Sequence, residues 1–232
     1  MSKFSNYLCI MNMRTVLIAL FVLVLGIFGA WYLLDKKEDK PLRLLPYFGP
    51  KTYGTTKDTV FHSVGKFSFI DQYNKQVSNK DVEGKVYVVD YFFTTCKSIC
   101  PIMNTELTRV HKAFKDREDF LILSHTVDPE TDTVAQLAMH AAKYGVNDRK
   151  WLFVTGDKKE LYEMARKSYL LNAEEGDGGE EDFIHTQNFA LIDKDKHIRG
   201  FYDGTDSVEV SRLITDIKTL FKEYDHKNKQ HP

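Results

Sequence analysis

The eight-residue run Val86-Tyr-Val-Val-Asp-Tyr-Phe-Phe93 constrains this chain more than any other feature. It is rich in β-branched and aromatic residues and carries a single charge, so it reads as a central strand buried on both faces. Such a strand needs neighbours in a sheet and a layer of packing on either side. Directly after it stand Cys96 and Cys100, then Pro101 and a helical pattern through Leu107, Val110 and Phe114. Pro101 fits the first turn of a helix and biases Cys100 away from helical geometry, so the helix begins close to Cys100. Both sulfurs then lie where a strand hands over to a helix. Unpaired backbone N–H groups and the positive end of the macrodipole gather there and favour a thiolate, and Lys97 adds a positive charge. Three residues between the cysteines make a wider loop than a Cys-x-x-Cys motif. That loop could close a disulfide or let both sulfurs converge on one metal ion; spacing leaves both open.

The rest of the pattern supplies the neighbours. Phe67 to Ile70 and a turn at Asp71 to Lys75 suggest a hairpin. Leu121 to Val127 is a second buried strand, and Thr133 to Tyr144 reads as a helix capped by Asp132 or Thr133. A strand at Trp151 to Val154, a helix from Asp157 to Tyr169, strands near 189–192 and 198–202 and a final helix over 207–224 follow. Alternating strands and helices with a late hairpin and closing helix describe an α/β, thioredoxin-like domain: a central mixed β-sheet flanked by helices. We assign it residues 61–224, with a polar, frayed tail at 225–232. The segment 42–54, Leu-Arg-Leu-Leu-Pro-Tyr-Phe-Gly-Pro-Lys-Thr-Tyr-Gly, is too rich in proline and glycine for a helix and is expected to pack irregularly.

Residues 15–34 carry no charge and are long enough to cross a bilayer, which takes roughly 20 apolar residues. Trp31 and Tyr32 sit where an interfacial belt would be. The apolar run exceeds a signal-peptide core and lacks a small-x-small cleavage site, so an uncleaved transmembrane anchor is the expectation, behind a short tail at 1–14 and ahead of a tether and lead-in at 35–60. Lysines and arginine flank both ends, and the positive-inside rule gives no orientation. Cys9, before the anchor, is read as unrelated to the pair. Over the whole chain Lys and Arg number 32 against 33 Asp and Glu, interspersed, so nothing points to a nucleic-acid surface.

Residues 172–182, Asn-Ala-Glu-Glu-Gly-Asp-Gly-Gly-Glu-Glu-Asp, read as an acidic, glycine-rich surface loop leading into Phe183-Ile-His185-Thr. No proline occurs between Pro129 and Pro232, so the cis-proline typical of thioredoxin-like redox enzymes is missing, and His185 arrives in its region. His125, inside an apolar strand, is expected in the core. His62, His111, His140 and His197 are expected at the surface or on helix faces.

The blocks Phe92-Phe93-Thr94-Thr95-Cys96-Lys-Ser-Ile-Cys100-Pro101, Ser124-His-Thr-Val-Asp128-Pro129-Glu-Thr-Asp132-Thr133, Trp151-Leu-Phe-Val-Thr-Gly156, His185-Thr and Leu191 to Gly204 together resemble the Sco/SenC family. These are copper-handling proteins linked to assembly of the dinuclear copper centre of cytochrome c oxidase. The resemblance covers roughly Leu45 to Phe221, and it implies that Cys96, Cys100 and His185 are copper ligands. Lys97, where the family often has proline or a small residue, and a long acidic loop before His185 are its departures. Two thiolates and an imidazole suit Cu(I), and with a harder fourth ligand or water they serve Cu(II). Zinc would favour four protein ligands. Asp128 reads as an Asp-Pro turn or helix entry, with an outer-shell role as the alternative.

The resemblance further implies a metallochaperone that meets a copper donor, a thiol reductant and the copper-bearing subunit of cytochrome c oxidase. It would sit in a cell inner membrane with its soluble domain in the periplasm, or in a mitochondrial inner membrane. The alternative is a thiol-disulfide oxidoreductase in which Cys96 attacks and Cys100 resolves. A peroxiredoxin-type peroxidase fits poorly, because Phe93 and Lys97 stand where its threonine would.

Overall fold

The computed structural model describes residues 13–35, 43–53, 59–171, 179 and 182–230, and it divides into two compact units, 1–42 and 43–232. In the first unit, helix α1 (Met13–Asp35) contains a stretch, Met13–Trp31, long and apolar enough to cross a membrane. Cys9, the tether at 36–41 and nearly all of the acidic segment at 172–182 lie outside the described residues.

The second unit is built around a seven-stranded mixed sheet. Its strands are β3 (Ser68–Asp71), β4 (Gln76–Ser78), β5 (Val86–Phe92), β6 (Phe120–Thr126), β7 (Trp151–Thr155), β8 (Asn188–Ile192) and β9 (Ile198–Asp203). They lie in the order β4-β3-β7-β6-β5-β8-β9, with β5, β6 and β7 mutually parallel and the outer neighbours antiparallel. Every residue of β5 and β6 is buried, as strands covered on both faces must be. A left-handed Gly84 (φ +69°) turns the chain into β5 after the short helix α2 (Asn79–Val82).

Alternation along β5 splits the core in two. Val86, Val88 and Phe92 pack with α3 (Cys100–Phe114) and α6 (Ser207–Gln230), through Met103, Leu107 and Val110 on one and Val210, Leu213 and Ile217 on the other. Tyr87, Val89 and Tyr91 face the opposite layer with Phe69, Leu161, Tyr162 and Ile184. The apolar positions of α3 recur every three or four residues, so its buried stripe meets the sheet while its polar face meets water. Helix α4 (Val134–Lys143) is capped by Thr133, whose side chain accepts from the Gln136 N–H. After α5 (Lys158–Glu163) the chain widens into one π turn, Met164–Ser168, closed by the Tyr169 N–H on the Met164 carbonyl at 2.8 Å.

Several expectations change. The lead-in is not wholly irregular: β1 (Lys51–Tyr53) and β2 (Thr59–Phe61) form an antiparallel hairpin. The helix expected over 157–169 is α-helical only to Glu163, because the π turn takes over. The closing helix does not fray at 225; it runs to Gln230, since Lys and Gln are good helix formers. His140 is not on the surface. It is buried between Phe92 and Phe153 with its Nε2 3.2 Å from the Asn104 amide, and burial pushes its pKa down to about 4. His125 is in the core as expected, stacked on Tyr91 and kept neutral by burial, with a pKa near 3. His62, His111 and His197 are half-buried.

At the end of the sheet where β5 begins, Arg199 is sealed in a buried network. It donates to Asp193 at 3.0 Å, to Glu223 at 2.8 Å and to the Leu45 carbonyl at 2.6 Å, while Glu223 also accepts from the Leu45 N–H at 2.6 Å. This ties the lead-in to the domain. Truncating Arg199→Ala leaves two buried carboxylates without their cation, so a loss of about 3–5 kcal/mol is expected in urea unfolding. A loss under 1 kcal/mol would show that the network is dispensable.

Candidate metal centre

The cysteine loop leaves the C-terminal end of β5 and closes on itself, with the Cys96 N–H donating to the Phe93 carbonyl at 3.2 Å. Pro101 occupies the first turn of α3, and Cys100 is its first residue, buried against Met103 and Leu107. Cys96 is half-buried and Lys97 exposed. Neither Cys96 nor Cys100 is in a disulfide.

The two thiols differ sharply. Burial works against ionising Cys96, but hydrogen bonds to its sulfur from the Cys100 thiol and N–H and from Ser98 outweigh that, so its pKa lies below the ordinary thiol value. The Ser98 hydroxyl is 3.7 Å from that sulfur. Burial, together with donation of its proton to Cys96, pushes Cys100 up to about 12. Stabilisation of the Cys96 thiolate thus comes from Cys100 and Ser98, rather than from the Lys97 charge that the sequence suggested.

Cys96, Cys100 and His185 line one cavity of about 120 Å³, with Tyr91, Phe93, Val127 and Ile184 as apolar wall. The geometry therefore brings the late histidine to the same hollow as the two sulfurs. His185 is exposed at the rim, and among the described residues no three His, Cys, Asp or Glu side chains cluster tightly enough to hold a metal ion as they stand. Phe183 sets the approach: its ring meets Phe93 edge-on at 5.3 Å and lies 4.9 Å from the imidazole. Two sulfurs and a ring nitrogen around a small, apolar hollow are a donor set that fits copper, with soft thiolates for Cu(I).

Asp128 does not line this cavity; its N–H is held by the Thr126 hydroxyl at 2.9 Å, as in a turn, and its carboxylate accepts from the Thr131 N–H. Asp132 does more than sequence reasoning gave it. Thr133 takes the helix cap, leaving the buried Asp132 carboxylate to accept from the Thr94 N–H at 3.2 Å, from the Thr94 hydroxyl and from the Thr126 hydroxyl at 2.5 Å. It pins the first residue of the cysteine loop to the end of β6. Under the loop, Asp90 is fully buried; Ser124 donates to one oxygen and the other has no hydrogen-bond partner, and burial pushes its pKa up to about 7. Its place as the one charged residue in an otherwise apolar strand was the visible signal for it.

Two outcomes test this geometry. Alkylation of the reduced protein should follow one thiolate, Cys96, with a midpoint below the ordinary thiol pKa near 8.5, while Cys100 stays protected well above it; mapping by mass spectrometry checks both. Equal labelling of the two at neutral pH would contradict the asymmetry. Asp132→Ala, which orphans Thr94 and Thr126, should cost about 2 kcal/mol or more in thermal unfolding and raise the Cys96 midpoint by slackening its loop.

The SCO1/SenC family model matches residues 55–222. A SCO1 protein homolog of Bacillus subtilis is 34% identical over 165 residues, which is 70% of this chain and 85% of that protein. The solved structure of BsSco, described as having a disulfide switch and as a member of the Sco family of cytochrome c oxidase assembly proteins, is similar with a TM-score of 0.58 at 33% identity, over 68% of this chain and 93% of that one. Arabidopsis thaliana ScoI, solved with copper bound, gives a TM-score of 0.55 at 26% identity, over 68% of this chain and 98% of that one. A family match over most of the chain, joined to a thioredoxin-like sheet with its cysteine pair at the expected strand end, makes this protein a member of the SCO1/SenC family.

Proposed function

We propose that this protein is a membrane-anchored metallochaperone that binds one copper ion through Cys96, Cys100 and His185 and delivers it to the copper-bearing subunit of cytochrome c oxidase during assembly. The observation that carries this reading is the shared cavity: residues 96, 100 and 185 line one hollow of about 120 Å³. Its apolar wall suits a soft ion, and a partly exposed Cys96 beside a rim histidine leaves the cargo open to capture by a partner's ligands. Helix α1 serves as anchor, in a cell inner membrane with the 43–232 unit on the periplasmic side, or in a mitochondrial inner membrane. Outside the cytoplasm the dithiol oxidises, so a thiol reductant must act before a copper donor can load it.

A second reading is favoured by the thiol asymmetry. In thiol-disulfide exchange the Cys96 thiolate attacks one sulfur of a target disulfide and expels the other as thiolate. Cys100 then loses its proton and attacks the Cys96 sulfur, releasing the second target thiol. Two electrons leave the dithiol, which becomes a disulfide. A low-pKa, half-exposed attacker with a buried, protonated resolver suits this sequence.

Copper titration of the reduced, detergent-solubilised chain separates the readings. One equivalent bound through two sulfurs and one imidazole by X-ray absorption is expected, with binding lost in Cys96→Ser and Cys100→Ser and weakened at least tenfold in His185→Ala. The same His185→Ala protein should reduce a disulfide substrate at the unaltered rate. Tight copper binding that survives removal of His185 would overturn the ligand set.

A further inference from the structure

We propose that Arg166, carried on the π turn, is a positioning residue for the imidazole of His185, acting through a two-pronged latch to Asp182; this rests on the reading of His185 as a copper ligand. The guanidinium donates through Nη1 to Asp182 Oδ2 at 2.8 Å and through Nη2 to Oδ1 at 2.6 Å. Both side chains are largely withdrawn from water, at 13% and 9% exposure, so the pair escapes the solvent screening that weakens surface ion pairs.

The latch adds a side-chain anchor to a stretch of backbone that is otherwise held at its start by the Asp182 N–H on the Gly179 carbonyl at 3.2 Å and at Ile184, whose backbone hydrogen-bonds the Tyr162 hydroxyl. Residues 182–187 belong to no strand or helix. Their chain is held at its far end by the Gly204 N–H on the Gln187 carbonyl at 2.7 Å. Between the two ends, Ile184 plugs the cavity wall and Phe183 leans on Phe93. Asp182 is three residues before His185, so its fork fixes where the segment starts its run across the hollow.

The wide turn explains why an arginine can serve here. Its i→i+5 closure, Tyr169 N–H to Met164 O, and the following Leu171 N–H to Ala165 O at 2.9 Å break the α-helical register. Met164, Ala165 and Tyr169 stay in the core while Arg166 is presented along it to the segment. π turns of this kind are common at functional sites. Arg166 is also seated over Tyr162, 5.5 Å from the ring centroid, and the Tyr162 hydroxyl donates to the carbonyl of Val127, a cavity-wall residue, at 2.7 Å. The latch is therefore built onto the same wall that faces the sulfurs, and it orders the imidazole segment independently of the Asp132 pin that orders the cysteine loop.

Cu(I) affinity, read by competition with a chromogenic chelator on the reduced full chain, tests this in a double-mutant cycle. Arg166→Met should weaken binding about 10- to 100-fold, as loss of a ligand-orienting group does. Arg166→Lys, which keeps the charge, should recover most of that loss. In a His185→Ala background, Arg166→Met should change nothing further, and the dithiol's equilibrium with glutathione should be unmoved in every Arg166 variant. Unchanged affinity in Arg166→Met, an equal fall with and without His185, or a shifted dithiol equilibrium would each overturn the latch. Should His185→Ala alone leave affinity intact, the ligand reading falls and the latch with it; a silent Arg166→Met beside a damaging His185→Ala overturns the latch alone.

Discussion

The whole arrangement depends on one strand being dry on both sides. Because β5 is buried along its length, the sheet must continue on either flank and each face needs its own layer. Its end is then the first place where the chain meets open space. The cysteine loop emerges there, and the antiparallel β8 returns to the same end from the opposite direction, which brings the residues before Asn188 beside it. The meeting of residues 96, 100 and 185 is a consequence of strand order more than of local design.

Within that meeting place the two halves are fixed by different chemistry. The cysteine loop is tied down by hydroxyl and amide hydrogen bonds to one buried carboxylate, Asp132, while the histidine segment is fixed by an ion pair, an edge-on aromatic contact and a buried isoleucine. Such separation lets the sulfurs be tuned for electron-pair exchange without moving the imidazole. Under the two readings proposed above, metal carriage and dithiol exchange would draw on overlapping but distinct parts of one site.

Much of this was legible in the residues. The run at 86–93, apolar but for Asp90, the three-to-four spacing through Leu107, Val110 and Phe114 and the punctuation by Pro101 gave the core strand, the helix and the sulfurs between them, because burial periodicity is a local signal. The lead-in hairpin was hidden because prolines and glycines mask short strands whose pairing is set at a distance. The π turn was hidden for another reason: 157–169 keeps a helical apolar rhythm, and only tertiary packing decides that one turn widens. His140 looked like a helix-face residue because its partner Asn104 lies 36 positions away. Asp132 looked like a helix cap, and only the fold shows that Thr94 and Thr126 claim its oxygens. Side-chain partners far apart in sequence leave no periodic trace.

The Arg199 network has a mechanical meaning. It grips Leu45 at the end of the sheet where β5 starts, and the sulfurs stand past its other end, about 20 Å away by strand rise. Strain entering at Leu45 meets this dry ionic knot and then the length of the buried central strands before it reaches the cavity. The cavity's shape is thus insulated from disturbances in the packing of Leu45 and Pro46.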